Sequence, residues 1–124
     1  MTEADREAIV HVLNEYLDGL YHSDPTRLRR VLHPQALYAT ASDGTLLVRT
    51  MPEYFPIVDV RPSPASHGQA REDRIVSIDF AGPVTAIARL ECVVQPRHFI
   101  DLLTMVKLDG RWWILSKVFH FDER

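Results

Sequence analysis

The sequence predicts an α+β fold, in which helices of the first half pack on one side of a curved antiparallel sheet of about six strands. Two observations carry this prediction. The first third has apolar residues at the spacing of one helical stripe, and the second half has long apolar stretches separated by short turns. The stripe consists of Ile9, Val12, Leu13, Tyr16, Leu17 and Leu20.

The first two helices are separated by a short break. Thr2 or Asp5 can cap the first helix, and Ser23-Asp24-Pro25 ends it. Asp24 followed by Pro25 is typical of an N-cap and a first helical position, so a short second helix should run to about Leu32.

The chain then changes to strands, with one more helix between them. Asp43 and Gly44 form a strong two-residue turn signal between segments 37–42 and 45–49. A capping-box pattern at Thr50 begins a third helix that should end at about residue 60. The remaining strands are expected at about 71–80, 84–95, 97–107 and 111–121.

Composition limits the class of protein. The 124 residues fit one domain, 1–124, and the net charge of −3 argues against a nucleic-acid partner. No apolar stretch reaches the length of a membrane helix, so no membrane partner is expected. Cys92 is the single cysteine, which is typical of a reducing compartment. Together with a polar, acidic start of the chain, this predicts a cytoplasmic location.

The final hairpin gives the sharpest structural expectation. If Asp109 and Gly110 are the turn residues, positions whose numbers sum to 219 lie opposite each other. Asp101 and His120 then lie on one face as diagonal neighbours, close enough for a hydrogen bond. The residues expected on that face are Phe99, Asp101, Leu103, Met105, Trp112, Ile114, Ser116, Val118 and His120.

The opposite face of the same strands also carries large apolar groups. A second turn at residues 96–97, which pairs Gln95 with His98, places Leu90 and Cys92 beside Asp101. The other face suits a homodimer through the open sheet, although a tail or loop could cover it instead. Its residues include Arg89, Glu91, Trp113, Leu115, Lys117 and Phe119.

Asp101 is the first candidate for chemistry. A carboxylate between Phe99 and Leu103 on an apolar face must be partnered or held neutral, and either state suits an acid/base group or a ligand anchor. The alternative is a structural ion pair with His120. That histidine could relay a proton, or it could stand partly in water at the end of the last strand.

Other residues are weaker candidates. Tyr16 and Tyr38 can direct hydroxyls into an apolar cleft, although such aromatic residues are more often core. His33 either caps a short helix or lines a pocket. The six histidines show no metal-ligand spacing, so no metal is expected. The chain has no glycine-rich phosphate loop with a lysine, and Cys92 is more typical of a small core residue than of a nucleophile.

Several short runs of the chain resemble one family. They are YLDGLY from Tyr16, LHPQA from Leu32, RPSP from Arg61, FID from Phe99, and DGRWWI from Asp109 continuing to KVFH at His120. These runs are similar to the putative lumazine-binding, SnoaL-like branch of the nuclear transport factor 2-like superfamily. The resemblance covers nearly the whole chain. It implies a cystatin-like cone whose sheet wraps around three helices and whose open end holds a small, largely apolar molecule.

The resemblance leaves three functional hypotheses. The first is a small-molecule-binding homodimer whose ligand is apolar or aromatic. The second is a cofactor-free enzyme of the ketosteroid isomerase or polyketide cyclase kind, in which Asp101 moves a proton next to a carbonyl. His120 or Tyr38 would then hydrogen-bond the enolate oxygen. The third is a non-catalytic interaction module that works through the open sheet face. The expected pocket residues are Tyr16, His33, Tyr38, Phe99, Asp101, Trp112 and His120.

Overall fold

The computed structural model describes residues 2–123 as three helices, a short 3-10 turn and a six-stranded sheet. The helices are α1 (Glu3–Tyr21), α2 (Pro25–Arg29) and α3 (Met51–Val60), and the 3-10 turn covers Ala65–His67. The strands are β1 (Leu32–Thr40), β2 (Leu47–Thr50), β3 (Asp73–Phe80), β4 (Thr85–Val94), β5 (Arg97–Leu108) and β6 (Arg111–Glu123). The α+β class predicted from the sequence is confirmed.

The helices begin where local chemistry places them. The Thr2 side chain accepts a hydrogen bond from the Asp5 backbone N–H at 3.0 Å and caps α1. Asp24 caps α2 through two backbone N–H groups, with Pro25 in the first turn. In α3, the Glu53 carboxylate accepts a hydrogen bond from the Thr50 backbone N–H at 2.8 Å, as a capping box requires.

The second helix is shorter than expected. It ends at Arg29, and β1 begins at Leu32, where the sequence predicted the end of the helix. Val31 and Leu32 are both buried, and Leu32 lies opposite Ile114 of β6. The free energy gained by burying Leu32 against Ile114 in the sheet therefore outweighs the gain from extending the helix.

The sheet has the order β2-β1-β6-β5-β4-β3. Four neighbouring pairs are antiparallel, and β1 runs parallel to β6. In the first hairpin Leu37 lies opposite Thr50, which is the register expected from Asp43 and Gly44. The connection is longer than the expected two residues, because the strands end at Thr40 and begin again at Leu47, and the hydrogen-bonded turn is at Ser42 and Asp43. The pairing is interrupted in β1–β6, in β3–β4 and in β5–β6, and such bulges bend a sheet around the elements packed on it.

The core lies between the helices and one face of the sheet, which we call the inner face. Every member of the predicted α1 stripe except Val12 is buried there. The sheet side of this core comprises Ile78, Ala86, Ala88, Leu90, Leu103, Met105, Trp112 and Ile114. Gly19 of α1 lets α2 approach closely, because an added Cβ would lie 2.6 Å from Leu28 Cδ2.

The hairpin between β4 and β5 turns at Gln95 and Pro96, one residue earlier than expected. Val94 lies opposite Arg97, so the register differs from the prediction by two residues. A two-residue difference leaves the faces unchanged. Leu90 and Cys92 therefore share the inner face with Asp101, as the sequence predicted.

The final hairpin departs from its predicted register halfway along. Leu108 lies opposite Arg111 and Met105 opposite Ile114, as expected from the turn at residues 109–110. Thr104, however, lies opposite Ser116, so Leu115 is an extra residue in β6. Beyond this bulge every side chain of β6 changes face. The prediction that Asp101 and His120 share a face is therefore wrong.

Candidate functional site

The candidate site is a buried cluster of three polar side chains on the inner face. Asp101 of β5 is fully buried. The Tyr16 hydroxyl of α1 donates a hydrogen bond to Asp101 Oδ2 at 2.6 Å, and Lys117 Nζ of β6 lies 3.8 Å from the same oxygen. Asp101 Oδ1 is buried and has no hydrogen-bond partner among the described residues. Two side chains thus hold one carboxylate oxygen of Asp101 in place.

Aromatic rings surround the Lys117 ammonium. Lys117 Nζ lies 4.9 Å from the ring centre of Phe119 and 5.4 to 5.8 Å from four others. The five rings belong to Tyr16, Tyr38, Tyr54, Phe99 and Phe119, which we call the aromatic box. The faces of such rings attract a cation and are themselves apolar. The aromatic box therefore stabilises the buried charge of Lys117.

The protonation states of the cluster follow from its burial and its charges. Burial alone would lower the pKa of Lys117, but the adjacent Asp101, together with Tyr54, Tyr38 and Cys92, outweighs this effect and the net shift is upward. Burial, reinforced by Asp101, also raises the pKa of Tyr16. At neutral pH the cluster therefore contains the Lys117 ammonium ion and a neutral Tyr16 phenol, which donates a hydrogen bond to Asp101.

Cys92 lies on the same face but has a different role. Its thiol is buried, and burial raises the pKa of Cys92 to about 12, with the charge of Asp101 as the next contribution. A thiol in this state is a poor nucleophile at neutral pH. The interpretation of Cys92 as a small core residue agrees with this environment.

The structure brings together four of the seven residues expected in the pocket. Asp101, Tyr16, Tyr38 and Phe99 lie in or beside the cluster. Trp112 is buried on the inner face, but its indole N–H donates to Asp5 Oδ1 at 3.1 Å, near the opposite end of β6.

The two histidines lie outside the cluster. His120 is exposed, because the bulge turns it away from Asp101; its Nε2 lies 3.7 Å from Asp122 Oδ2. His33 accepts a hydrogen bond from the Gln35 backbone at 3.0 Å and packs edge-on against Trp113 at 5.4 Å. The expected Asp101–His120 pair is replaced by Asp101–Lys117.

Two residues of this cluster were missed from the sequence: Lys117 and Tyr54. A signal for Lys117 was present, because Phe119 and Phe121 alternate with His120 and Asp122 at the end of β6. Two phenylalanines at this spacing mark the inner face and place Lys117 on it. No comparable signal distinguishes Tyr54 from an ordinary core residue of α3.

The described residues contain neither a cluster of metal ligands nor a membrane-spanning helix. Within residues 2–123, no three or more His, Cys, Asp or Glu side chains come together as metal ligands would. In the same range, no helix combines the length and apolar character needed to cross a membrane.

Comparison with known proteins gives a family match and one curated relative. The model of a family described as "putative lumazine-binding" matches residues 4–120. A protein of Cladobotryum sp. named "Aldolase FrzH" is 26% identical over 122 residues, which cover 97% of this chain and 94% of that protein.

Solved structures share the fold. A nuclear transport factor 2-like protein of unknown function from Shewanella baltica is 27% identical, with a TM-score of 0.86 over 100% of this chain and 99% of that one. A cystatin-like domain of unknown function from Nostoc punctiforme, 16% identical, has a TM-score of 0.75 over 100% of this chain and 81% of that one. The second likeness concerns the fold alone.

Proposed function

Because the chain belongs to the family described as putative lumazine-binding, within the nuclear transport factor 2-like superfamily, we propose that it binds a small, largely apolar carbonyl compound in its cone. We further propose that Asp101 transfers a proton at the carbon next to the carbonyl, without a cofactor. The observation that carries this proposal is the buried Oδ1 of Asp101, which lacks a protein partner while Oδ2 is fixed by Tyr16. A positioned carboxylate with one free oxygen is suited to act as a general base.

The proposed reaction starts with the removal of one proton. Asp101 Oδ1 takes it from the α-carbon, the C–H electron pair moves into the C–C bond, and the carbonyl oxygen becomes an enolate. The Lys117 ammonium and the unpaired Tyr54 hydroxyl supply the charge and the hydrogen bond that stabilise this oxygen. The protonated Asp101 then returns the proton to carbon, or to the alkoxide formed when the enolate attacks a second carbonyl.

The protonation of Lys117 favours this route over a Schiff base. A lysine that attacks a carbonyl must be a free amine, which requires a lowered pKa. The pKa of Lys117 is raised instead, against the lowering effect of its burial, by Asp101 and the surrounding tyrosines. The relative named as an aldolase supports enolate chemistry in this fold, since an aldol reaction proceeds through an enolate or its equivalent.

Deuterium incorporation tests the proposal directly. The protein is incubated in D₂O with acetophenone, para-acetylbenzoate and its methyl ester, and loss of the methyl ketone proton signal is followed by NMR. We expect exchange faster than in buffer or with heat-unfolded protein for at least one of these ketones. Exchange at the buffer rate for all three would contradict proton transfer. Mass spectrometry of molecules released on denaturation would then show whether the cone only binds its ligand.

We also propose that the protein is a homodimer, through a surface that differs from the one first expected. The bulge in β6 turns Lys117 and Phe119 inward and leaves an apolar patch on the outer face of the sheet. The outer patch consists of Leu37, Ile87, Leu102 and Val118, which are 38 to 51% exposed. At its centre the hydroxyls of Thr104 and Ser116 are hydrogen-bonded to each other, so they add little polarity.

Val118→Lys tests the dimer because Val118 lies in the sheet directly between Leu102 and Ala39. A charge at this position on both subunits should convert a dimer into a monomer, since buried like charges repel. Light scattering measures the mass. Val60→Lys, at an 81% exposed position at the end of α3, is the matched control and should remain dimeric. A monomeric parent protein would contradict the proposal.

A further inference from the structure

Two nitrogen atoms of the Arg61 guanidinium group are buried and make no hydrogen bond to the described residues. Arg61 follows the last residue of α3 and precedes the Pro62-Ser63-Pro64 turn. The two buried atoms are its Nε and Nη2. These two nitrogens form one side of the guanidinium fork, and their N–H groups point in parallel. That edge matches the two oxygens of a carboxylate.

The surroundings of Arg61 form a cavity with a fixed wall. Arg61, Ser63, His67 and Gln69 line a partly open space of about 370 Å³, which Val94 and Gln95 at the end of β4 also line. The Gln69 amide donates to the Val93 carbonyl at 2.8 Å and accepts from the Gln95 backbone N–H at 3.0 Å. These two hydrogen bonds attach the loop at Gln69 to the end of β4, so this wall of the cavity is held in position.

The same arginine is electrostatically linked to the candidate site. Burial raises the pKa of Tyr38, and the positive charges of Lys117 and Arg61 oppose that rise. Arg61 also opposes the rise in the pKa of Cys92, which is due first to burial and then to Asp101. Tyr54, whose hydroxyl is buried without a partner, precedes Arg61 by seven residues, or two helical turns. This spacing corresponds to roughly 10 Å along α3.

Lys117 has a counter-charge, whereas the buried edge of Arg61 has no hydrogen-bond or ion-pair partner among the described residues. Lys117 and the buried edge of Arg61 are positive, whereas Asp101 is the carboxylate that faces Lys117. The tyrosines and the thiol around them are neutral at pH 7, since burial raises the pKa of Tyr16, Tyr38 and Cys92. A buried cation without a counter-charge is costly. An anionic ligand group at Arg61 would remove that cost.

We propose that Arg61 binds the carboxylate of the ligand, which makes the substrate class an oxo acid: a carbonyl compound whose carboxylate lies several bonds from the reacting carbon. This inference rests on the proposed function of Asp101, because it assigns the other end of the same ligand. The carbonyl end contacts Asp101, Lys117 and Tyr54, and the acid end contacts the fork of Arg61.

Binding of two matched probes tests the site. Titration calorimetry measures the affinity of the intact protein for para-acetylbenzoate and for its neutral methyl ester. We expect the carboxylate to bind more tightly, and Arg61→Gln to weaken it by about tenfold to a hundredfold with little effect on the ester. Arg61→Lys keeps the charge but loses the fork, so it should give an intermediate affinity. Arg6→Gln, on the exposed surface of α1, is the control and should bind both probes as the parent does.

Each other outcome overturns the inference. Equal affinity of the parent for acid and ester, an unchanged preference in Arg61→Gln, or no binding of the acid up to its solubility limit would each show that Arg61 is not the carboxylate site. Deuterium exchange separates this from the proposed function. Exchange without a carboxylate preference would remove the Arg61 site alone, and a carboxylate preference without exchange would remove proton transfer alone.

Discussion

Asp101→Asn is expected to slow ketone deuterium exchange by about a hundred- to ten-thousand-fold, the usual contribution of general acid–base catalysis. An asparagine keeps the shape of the side chain, and its amide oxygen can still accept the Tyr16 hydrogen bond that Oδ2 accepts at 2.6 Å. It cannot take a proton from carbon. NMR measures the exchange rate under the conditions used for the parent protein.

Two further variants make this result interpretable. Asp79→Asn removes an exposed carboxylate of β3 and should leave exchange unchanged. Tyr16→Phe keeps the Asp101 carboxylate but removes the donor that orients it, so a smaller loss is expected. Because Asp101→Asn also leaves Lys117 without its counter-charge, thermal unfolding must show that the variant is folded. A folded Asp101→Asn protein with the parent's exchange rate would exclude Asp101 as the base.

The elements of the fold could be predicted because short-range rules determine them. Asp24 before Pro25 and the pair Thr50 and Glu53 give helix starts that the structure confirms. The Asp43-Gly44 signal predicted the register of the first hairpin, although the hydrogen-bonded turn lies one residue earlier, at Ser42 and Asp43. These signals act within a few residues, and no tertiary contact competes with them. The end of α2 could not be predicted, because burial of Leu32 against Ile114 is a contact between distant parts of the chain.

The site depended on a single residue that no local rule identifies. Leu115 is the extra residue of β6. If β5 and β6 paired regularly along their whole length, Ser116 and His120 would lie on the same face as Asp101. The β1–β6 pairing is also irregular here, as β1 advances from Leu32 to Leu37 while β6 advances from Ile114 to Ser116. A bulge of this kind is favoured by contacts on both sides of the strand. The burial of Asp101 could therefore be predicted from its apolar neighbours, whereas its partner could not.

The second large effect concerns stability. Lys117→Met should lower the free energy of unfolding by about 3–5 kcal/mol, the usual cost of leaving one charge of a buried pair alone. The Lys117 and Asp101 side chains are 6% and 1% exposed, so water cannot compensate for the lost partner. The net shift of the Lys117 pKa is upward. Its contribution to stability is therefore complete below its usual value of 10.5 and lost only as the pH rises through the higher, folded-state pKa. The deficit should be constant across the neutral range. Denaturant unfolding measures it.

A double-mutant cycle separates the charge from the packing. Asp101→Asn combined with Lys117→Met removes both charges, and its stability should exceed that of Lys117→Met alone because no unpaired ion remains. Lys107→Met changes the chain's other lysine, whose side chain is 32% exposed beside Asp5, and it should cost less. If the loss of stability in the double variant equalled the sum of the losses in the two single variants, the two residues would be energetically independent. Asp101 would then retain its hydrogen bond to Tyr16, but its contact with Lys117 would contribute nothing to stability. The enolate would also lose its proposed counter-ion.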